Sequence, residues 1–165
     1  TLNEDQIRAL AAEACPTFNS VHMEGFDSLT PTQTEAFDRF LQYARSQGTT
    51  VILVLSPWHP SLYDYLLNES ELHQGFFQVE PYLRNYCREN NIPLYGSYDP
   101  SCIEGLEELD FFDGLHCKDS GIAKFFPGVP QALEDLSRGT LPDPTSVTPR
   151  TTPSLPENEA GQPAA

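Results

Sequence analysis

The sequence of 165 residues predicts an α/β fold, a parallel sheet with flanking helices. Two observations predict it. Segments of helical periodicity alternate with short apolar runs, in the order strand, helix, strand, helix, strand, helix, which favours parallel pairing through crossovers. The run at 51–55, Val-Ile-Leu-Val-Leu, is also unbroken, as in a strand covered on both faces of a parallel sheet.

Residues 2–14 predict a short helix, with Leu2, Ile7, Leu10, Ala11 and Ala14 at helical spacing before Pro16 halts it. Val21 and Met23 alternate with polar neighbours and predict a short strand leading into a loop. Thr30-Pro31-Thr32-Gln33 combines a capping threonine, a proline at the first helical position and a glutamine at the third. The helix it opens carries Ala36, Phe37, Phe40, Leu41 and Ala44 on one face and ends at Gly48. The strand at 51–55 then breaks into the loop Ser56-Pro57-Trp58-His59-Pro60. A variable segment with Tyr63, Tyr65 and Leu66 precedes a second amphipathic helix at 76–90, which places Phe77, Val79, Tyr82, Leu83, Tyr86 and Cys87 on the core side. A short strand at 92–95, a loop at 96–110 with one helical turn, and a last helix beginning at 121–126 complete the domain. Residues 139–165 are mostly Pro, Thr, Ser, Glu and Gly without periodicity, so the sequence divides into a domain at 1–138 and a disordered tail at 139–165.

The formal net charge of −15, with no basic cluster to reverse it locally, argues against nucleic acid and anionic lipid surfaces as partners. No long apolar run predicts a membrane span, and no signal-like segment precedes the first helix, so the sequence is expected to be a processed or truncated piece. Cys15, Cys87, Cys102 and Cys117 have no Cys-x-x-Cys spacing and leave the redox compartment open.

Asp113-Gly114-Leu115-His116 is the sharpest chemical feature. In a loop, a carboxylate three residues before an imidazole can fold back to accept the Nδ1 proton, leaving Nε2 outward as a general base; Gly114 would ease the turn. Asp-Gly is also an ordinary turn former, so the motif needs context.

The stretch from Phe112 through Asp113, Gly114, His116 and on to Gly121 resembles the last conserved block of the SGNH (GDSL-like) hydrolases, where Asp-Gly-x-His is followed by a glycine five residues later. The order of upstream elements from about Val21 to Phe126 is similar to the one leading to that block. The resemblance implies a doubly wound, flavodoxin-like three-layer sheet, here incomplete at the N-terminus. It also implies acyl ester hydrolysis or acyl transfer on a small-molecule or carbohydrate ester, with no cofactor. His116 would be base and then acid, and Asp113 its orienter. The family's nucleophilic serine follows its first strand, far upstream of this block, and a Gly-x-Asn-Asp block supplies an oxyanion-hole asparagine; neither is matched here, so the nucleophile is expected upstream of this chain.

Glu24-Gly25-Phe26-Asp27-Ser28-Leu29 offers two incompatible readings. As Asp-Ser-Leu it is similar to the nucleophile motif, with Ser28 attacking the ester. As a degenerate Gly-x-Asn-Asp block it puts Asp27 where an asparagine would stand. A plain turn before the helix at Thr30 accounts for it equally well. Trp58 and His59 follow the strand at 51–55 and could line a substrate pocket, or simply be a packed aromatic and a solvated histidine. His22, His59, His73, His116 and Cys117 have no finger or zincin spacing, so no metal is expected. The rival from another class is a non-catalytic module of the same fold that binds a glycan or protein partner through the Trp58 and His59 loop. A small-molecule-binding flavodoxin-like domain is disfavoured by the lack of a Gly-rich phosphate loop.

Overall fold

A computed structural model describes residues 2–18, 25–69, 74–140, 142 and 147–150. The elements in chain order are α1 (Glu4–Phe18), α2 (Pro31–Ser46), β1 (Leu53–Leu55), α3 (Pro60–Asn68), α4 (Gln74–Asn90), β2 (Leu94–Gly96), α5 (Asp119–Phe125) and α6 (Val129–Arg138). Single 3-10 turns at Pro100–Cys102 and Glu108–Asp110 lie between β2 and α5.

β1 and β2 pair in parallel, with Leu53 opposite Leu94, Val54 opposite Tyr95 and Leu55 opposite Gly96. Among the described residues the fold is therefore mixed α/β around a two-stranded parallel sheet, far smaller than the three-layer sheet expected. Both strands are shorter than their apolar runs, and the register is closed off at Gly96. There φ is +77°, and a Cβ would stand 2.1 Å from the Leu55 carbonyl oxygen, so only glycine lets the strands approach. Coverage on both faces of β1 is also not observed, since Val54 is 41% exposed. The strand expected around Val21 and Met23 lies outside the described residues.

α1 does not stop before Pro16 but runs on to Phe18. Asn3 opens it by accepting the Gln6 amide at 2.9 Å, while the Gln6 side chain accepts the Asn3 amide at 3.0 Å. Ile7, Ala11 and Cys15, spaced four apart, are its buried stripe, and this face packs on α3 and on the Glu108–Asp110 turn. Arg8 ties the same contact down with bonds of 3.2 and 2.7 Å to the Glu108 carboxylate.

α2 starts as its sequence dictates, with Thr30 accepting the Gln33 amide and the Gln33 side chain accepting the Thr30 amide. Its buried face differs from the expectation. Leu41 is buried and Phe37 packs edge-on against Tyr82 and Tyr86 of α4, whereas Phe40 is 65% exposed and Ala36 faces solvent. α2, β1, α4 and β2 share one apolar cluster that includes Leu41, Leu55, Tyr86, Cys87, Ile92 and Leu94. A second, around Tyr63, Leu66 and Phe76, joins α3 to α4. α3 lies in the stretch expected to be a variable segment; it forms because Pro60 takes the first helical position, His59 caps it, and Leu62, Tyr63 and Leu66 have a buried face to fill.

The helix expected to begin near Gly121 is two helices, α5 and α6, separated where Gly128 takes a φ of +88°. Within the stretch read as a tail, residues 147–150 lie against α3, α4 and the Pro100–Cys102 turn. None of the described helices is long and apolar enough to cross a membrane.

Candidate active site at the Asp113 and His116 turn

After the Glu108–Asp110 turn the chain makes a short reversal, in which Phe111 and Cys117 form an isolated antiparallel bridge and the Phe112 amide donates to the His116 carbonyl at 2.8 Å. Asp113 shapes the tip. Its Oδ1 accepts the backbone amides of Leu115 at 2.8 Å and His116 at 2.9 Å, the local capping that an aspartate at the start of a turn provides. Gly114 contributes less than expected. Its φ is not positive, and a Cβ there would only touch Ala11, Ala14 and Leu62 at 3.5–3.6 Å, so the carboxylate rather than glycine's freedom makes the turn.

The same carboxylate meets the imidazole, with His116 Nδ1 3.0 Å from Oδ1 and 2.9 Å from Oδ2. Desolvation pushes the Asp113 carboxyl up. The bonds donated by the Leu115 amide, the His116 ring and the His116 amide outweigh it, so Asp113 is held below its ordinary value and stays ionised at neutral pH. An ionised acceptor at Nδ1 favours the tautomer that carries its proton there and leaves the Nε2 lone pair free. The His116 side chain is 71% exposed, against 39% for Asp113, so that nitrogen is open to a reactant.

The turn is anchored at the carboxyl end of β1. The His59 amide donates to the Gly114 carbonyl at 3.0 Å, and the Cys117 thiol lies 3.7 Å from the Pro57 carbonyl. On the other side Gly121 brings α5 onto Asp110, where a Cβ would stand 2.9 Å from the Asp110 carbonyl oxygen. Asp110, buried, gathers the Glu107 amide, the Ser120 hydroxyl and the Lys124 ammonium. Burial pushes its carboxyl up, but these donors prevail and hold it below its ordinary value.

Comparison of the chain with protein-family models, curated proteins and solved structures finds no match in any of the three. The site therefore rests on its own geometry.

Of the other residues singled out by sequence, His59 adjoins the turn through its amide, but its ring packs into the core and not beside the His116 ring. Ser28 and Asp27 are exposed, in a loop held by α4: the Leu29 amide donates to Gln78 Oε1 at 3.1 Å, and the Gly75 amide to the Phe26 carbonyl at 3.0 Å. Trp58 stacks on Phe76 with ring centroids 4.4 Å apart, a packed aromatic. His59 is fully buried; its Nδ1 accepts the Ser61 amide at 3.1 Å and its ring meets Phe111 edge-on. Burial holds His59 below its ordinary pKa and hence neutral, with the proton on a buried Nε2 that finds no partner among the described residues. His22 and His73 lie outside the described residues, and among the described residues no three His, Cys, Asp or Glu side chains stand close enough to hold a metal ion.

A cavity of ≈ 230 Å³ opens beside β2, lined among others by Arg84, Gly96, Lys124 and Val147, and a second of ≈ 10 Å³ lies between α3 and α4; neither is lined by Asp113 or His116. Sequence reasoning missed the buried carboxylates Asp99 and Asp110. A buried aspartate can be inferred only from its partners, and these sit 51 residues away for Asp99 and 14 away for the Asp110 ion pair.

Proposed function

We propose that Asp113 and His116 are the orienter and general base of a serine-type acyl-transfer site, in an SGNH-like acyl ester hydrolase or acyltransferase domain. What carries the reading is the bond from Nδ1 to an ionised carboxylate beside an exposed Nε2. In the reaction Nε2 takes the proton of a serine hydroxyl as that oxygen attacks the ester carbonyl, and returns it to the departing alkoxide. Asp113 keeps the acceptor lone pair outward and stabilises the imidazolium formed between the two transfers.

The proposed nucleophile is a serine outside this chain, where the SGNH resemblance puts it; Ser28 lies in a loop held by α4, whereas the turn is held by α1 and the end of β1. Labelling with a fluorophosphonate tests both points. In a longer chain containing these residues, an adduct on a serine that is lost in a folded His116→Ala variant supports the reading. An adduct that survives His116→Ala removes His116 as the base. An adduct on Ser28 of this chain alone would transfer the nucleophile to it.

A second reading is a non-catalytic module of this fold that binds a glycan or protein partner. In its favour, the oxyanion-hole asparagine of the SGNH pattern has no match in this sequence. It predicts no serine adduct in any longer chain.

A further inference from the structure

We propose that α3, the start of α4 and the Pro100–Cys102 turn form a receptor for an extended Pro-Arg segment. Here it is filled in cis by Pro149 and Arg150, and it is open to the same dipeptide of another chain when that segment leaves.

Asp99 is the anchor. It is fully buried, and its Oδ1 is already fixed by the Ser101 amide at 2.9 Å and the Ser101 hydroxyl at 2.8 Å as it caps the Pro100–Cys102 turn. Onto this positioned carboxylate comes the Arg150 fork, with Nε 3.2 Å from Oδ1 and 3.0 Å from Oδ2, and a terminal nitrogen 3.0 Å from Oδ1. The other terminal nitrogen reaches Asp64 at 2.7 Å, and the guanidinium carbon lies 5.1 Å from the Tyr63 ring centroid. Carboxylate, carboxylate and aromatic face are the three partners that suit a planar, five-donor cation better than an ammonium.

The backbone of the segment is read as well. The Arg150 amide donates to Asp99 Oδ2 at 2.7 Å, and the Tyr63 hydroxyl donates to the Arg150 carbonyl at 2.7 Å. The Cys102 thiol lies 3.7 Å from the Thr148 carbonyl. Pro149 sits over the cleft of Tyr63, Phe76, Phe77 and Tyr98, leaving a void of ≈ 10 Å³, room for about one water. A side-chain staple needs only the ion pair. A surface that also takes the amide, the carbonyl and the preceding proline recognises a peptide, and the acidic chain, at −15, draws a basic one.

Exchange is open because the Arg150 side chain is 42% exposed while its anchor is wholly buried. The partner of this chemistry is an extended segment of another chain that contains Pro-Arg. This proposal is independent of the reading of Asp113 and His116.

The test titrates acetyl-Val-Thr-Pro-Arg-amide into the full chain carrying Arg150→Ala, by calorimetry. Binding is expected at least tenfold tighter than to the unmodified chain, whose own segment competes at an effective concentration of the order of millimolar. It should weaken at least tenfold for the Pro-Lys peptide and vanish when Asp99→Asn is added. A folded Arg150→Ala chain that does not bind the peptide, or binds it equally with Asp99→Asn present, overturns the proposal. Should Arg150→Ala not fold, Arg150→Gln, which keeps the stem over Tyr63 and drops the charge, replaces it with the same expected outcomes. If neither folds, the unmodified chain decides. Its Arg150 Nε–H resonance must move toward that of free arginine as the peptide enters the millimolar range, and a resonance that stays put overturns the receptor.

Discussion

Asp113 and Asp99 are both aspartates whose donors hold them below their ordinary pKa against the pull of desolvation, yet they differ in every other respect. Asp113 finds its partners within three residues, at the surface, and its geometry is a property of the local turn. Asp99 is sealed from solvent and depends on a guanidinium 51 residues further along the chain. A local pair can be kept at little cost to stability and can present a group outward for chemistry. A buried, distant pair holds separate parts of the chain together and penalises the fold when either partner leaves.

Arg150→Ala breaks the comparison at its more costly end. It leaves Asp99 buried without its cation, and a loss of about 2–3 kcal/mol in urea unfolding is expected, below the 3–5 typical of a wholly buried pair because Arg150 is 42% exposed. The two aspartates lose their contributions only at low pH, as it falls from their ordinary value near 3.9 through the lowered values of the fold.

A buried histidine acts in a higher window. His59 is held below its ordinary pKa, so the unfolded chain binds its proton first. Its contribution to stability is complete above about pH 6.5 and is lost as the pH falls toward the lowered value, at up to about 1.4 kcal/mol per unit. Unfolding measured between pH 7 and 5 should show this slope, and His59→Asn, which retains a cap on α3, should flatten it.

Asp113→Asn sharpens the other side of the comparison. The amide can still accept the backbone N–H groups, so the cost to stability is expected to be about 0.5–1 kcal/mol, small because the group is 39% exposed. Smallest of all, His116→Ala removes a 71% exposed ring and should shift the unfolding midpoint by no more than about 0.5 kcal/mol, while removing any serine labelling that depends on the base.

This contrast also explains what could be seen in the sequence. The turn at Asp113, the capping box at Thr30 and the apolar runs behind β1 and β2 are local patterns, and each appears where its residues stand. Phe40 falls outside the covered face of α2 because periodicity gives a helix's apolar residues but not the width of surface its neighbours cover. α3 carries no clear helix signal in the sequence, since a histidine caps it and only nine residues form it. Composition concealed the ordered contacts of residues 147–150, because a segment held by long-range ion pairs to Asp64 and Asp99, by bonds to its backbone and by a proline has no periodicity to show.

The most direct test of the account is the ¹⁵N NMR spectrum of the neutral His116 ring. With Asp113 accepting at Nδ1, the proton should reside there and Nε2 should show the shift of an unprotonated nitrogen, a preference that Asp113→Asn reduces. A ring protonated at Nε2 in the unmodified chain would contradict it, because the atom required to act as base would then carry a hydrogen.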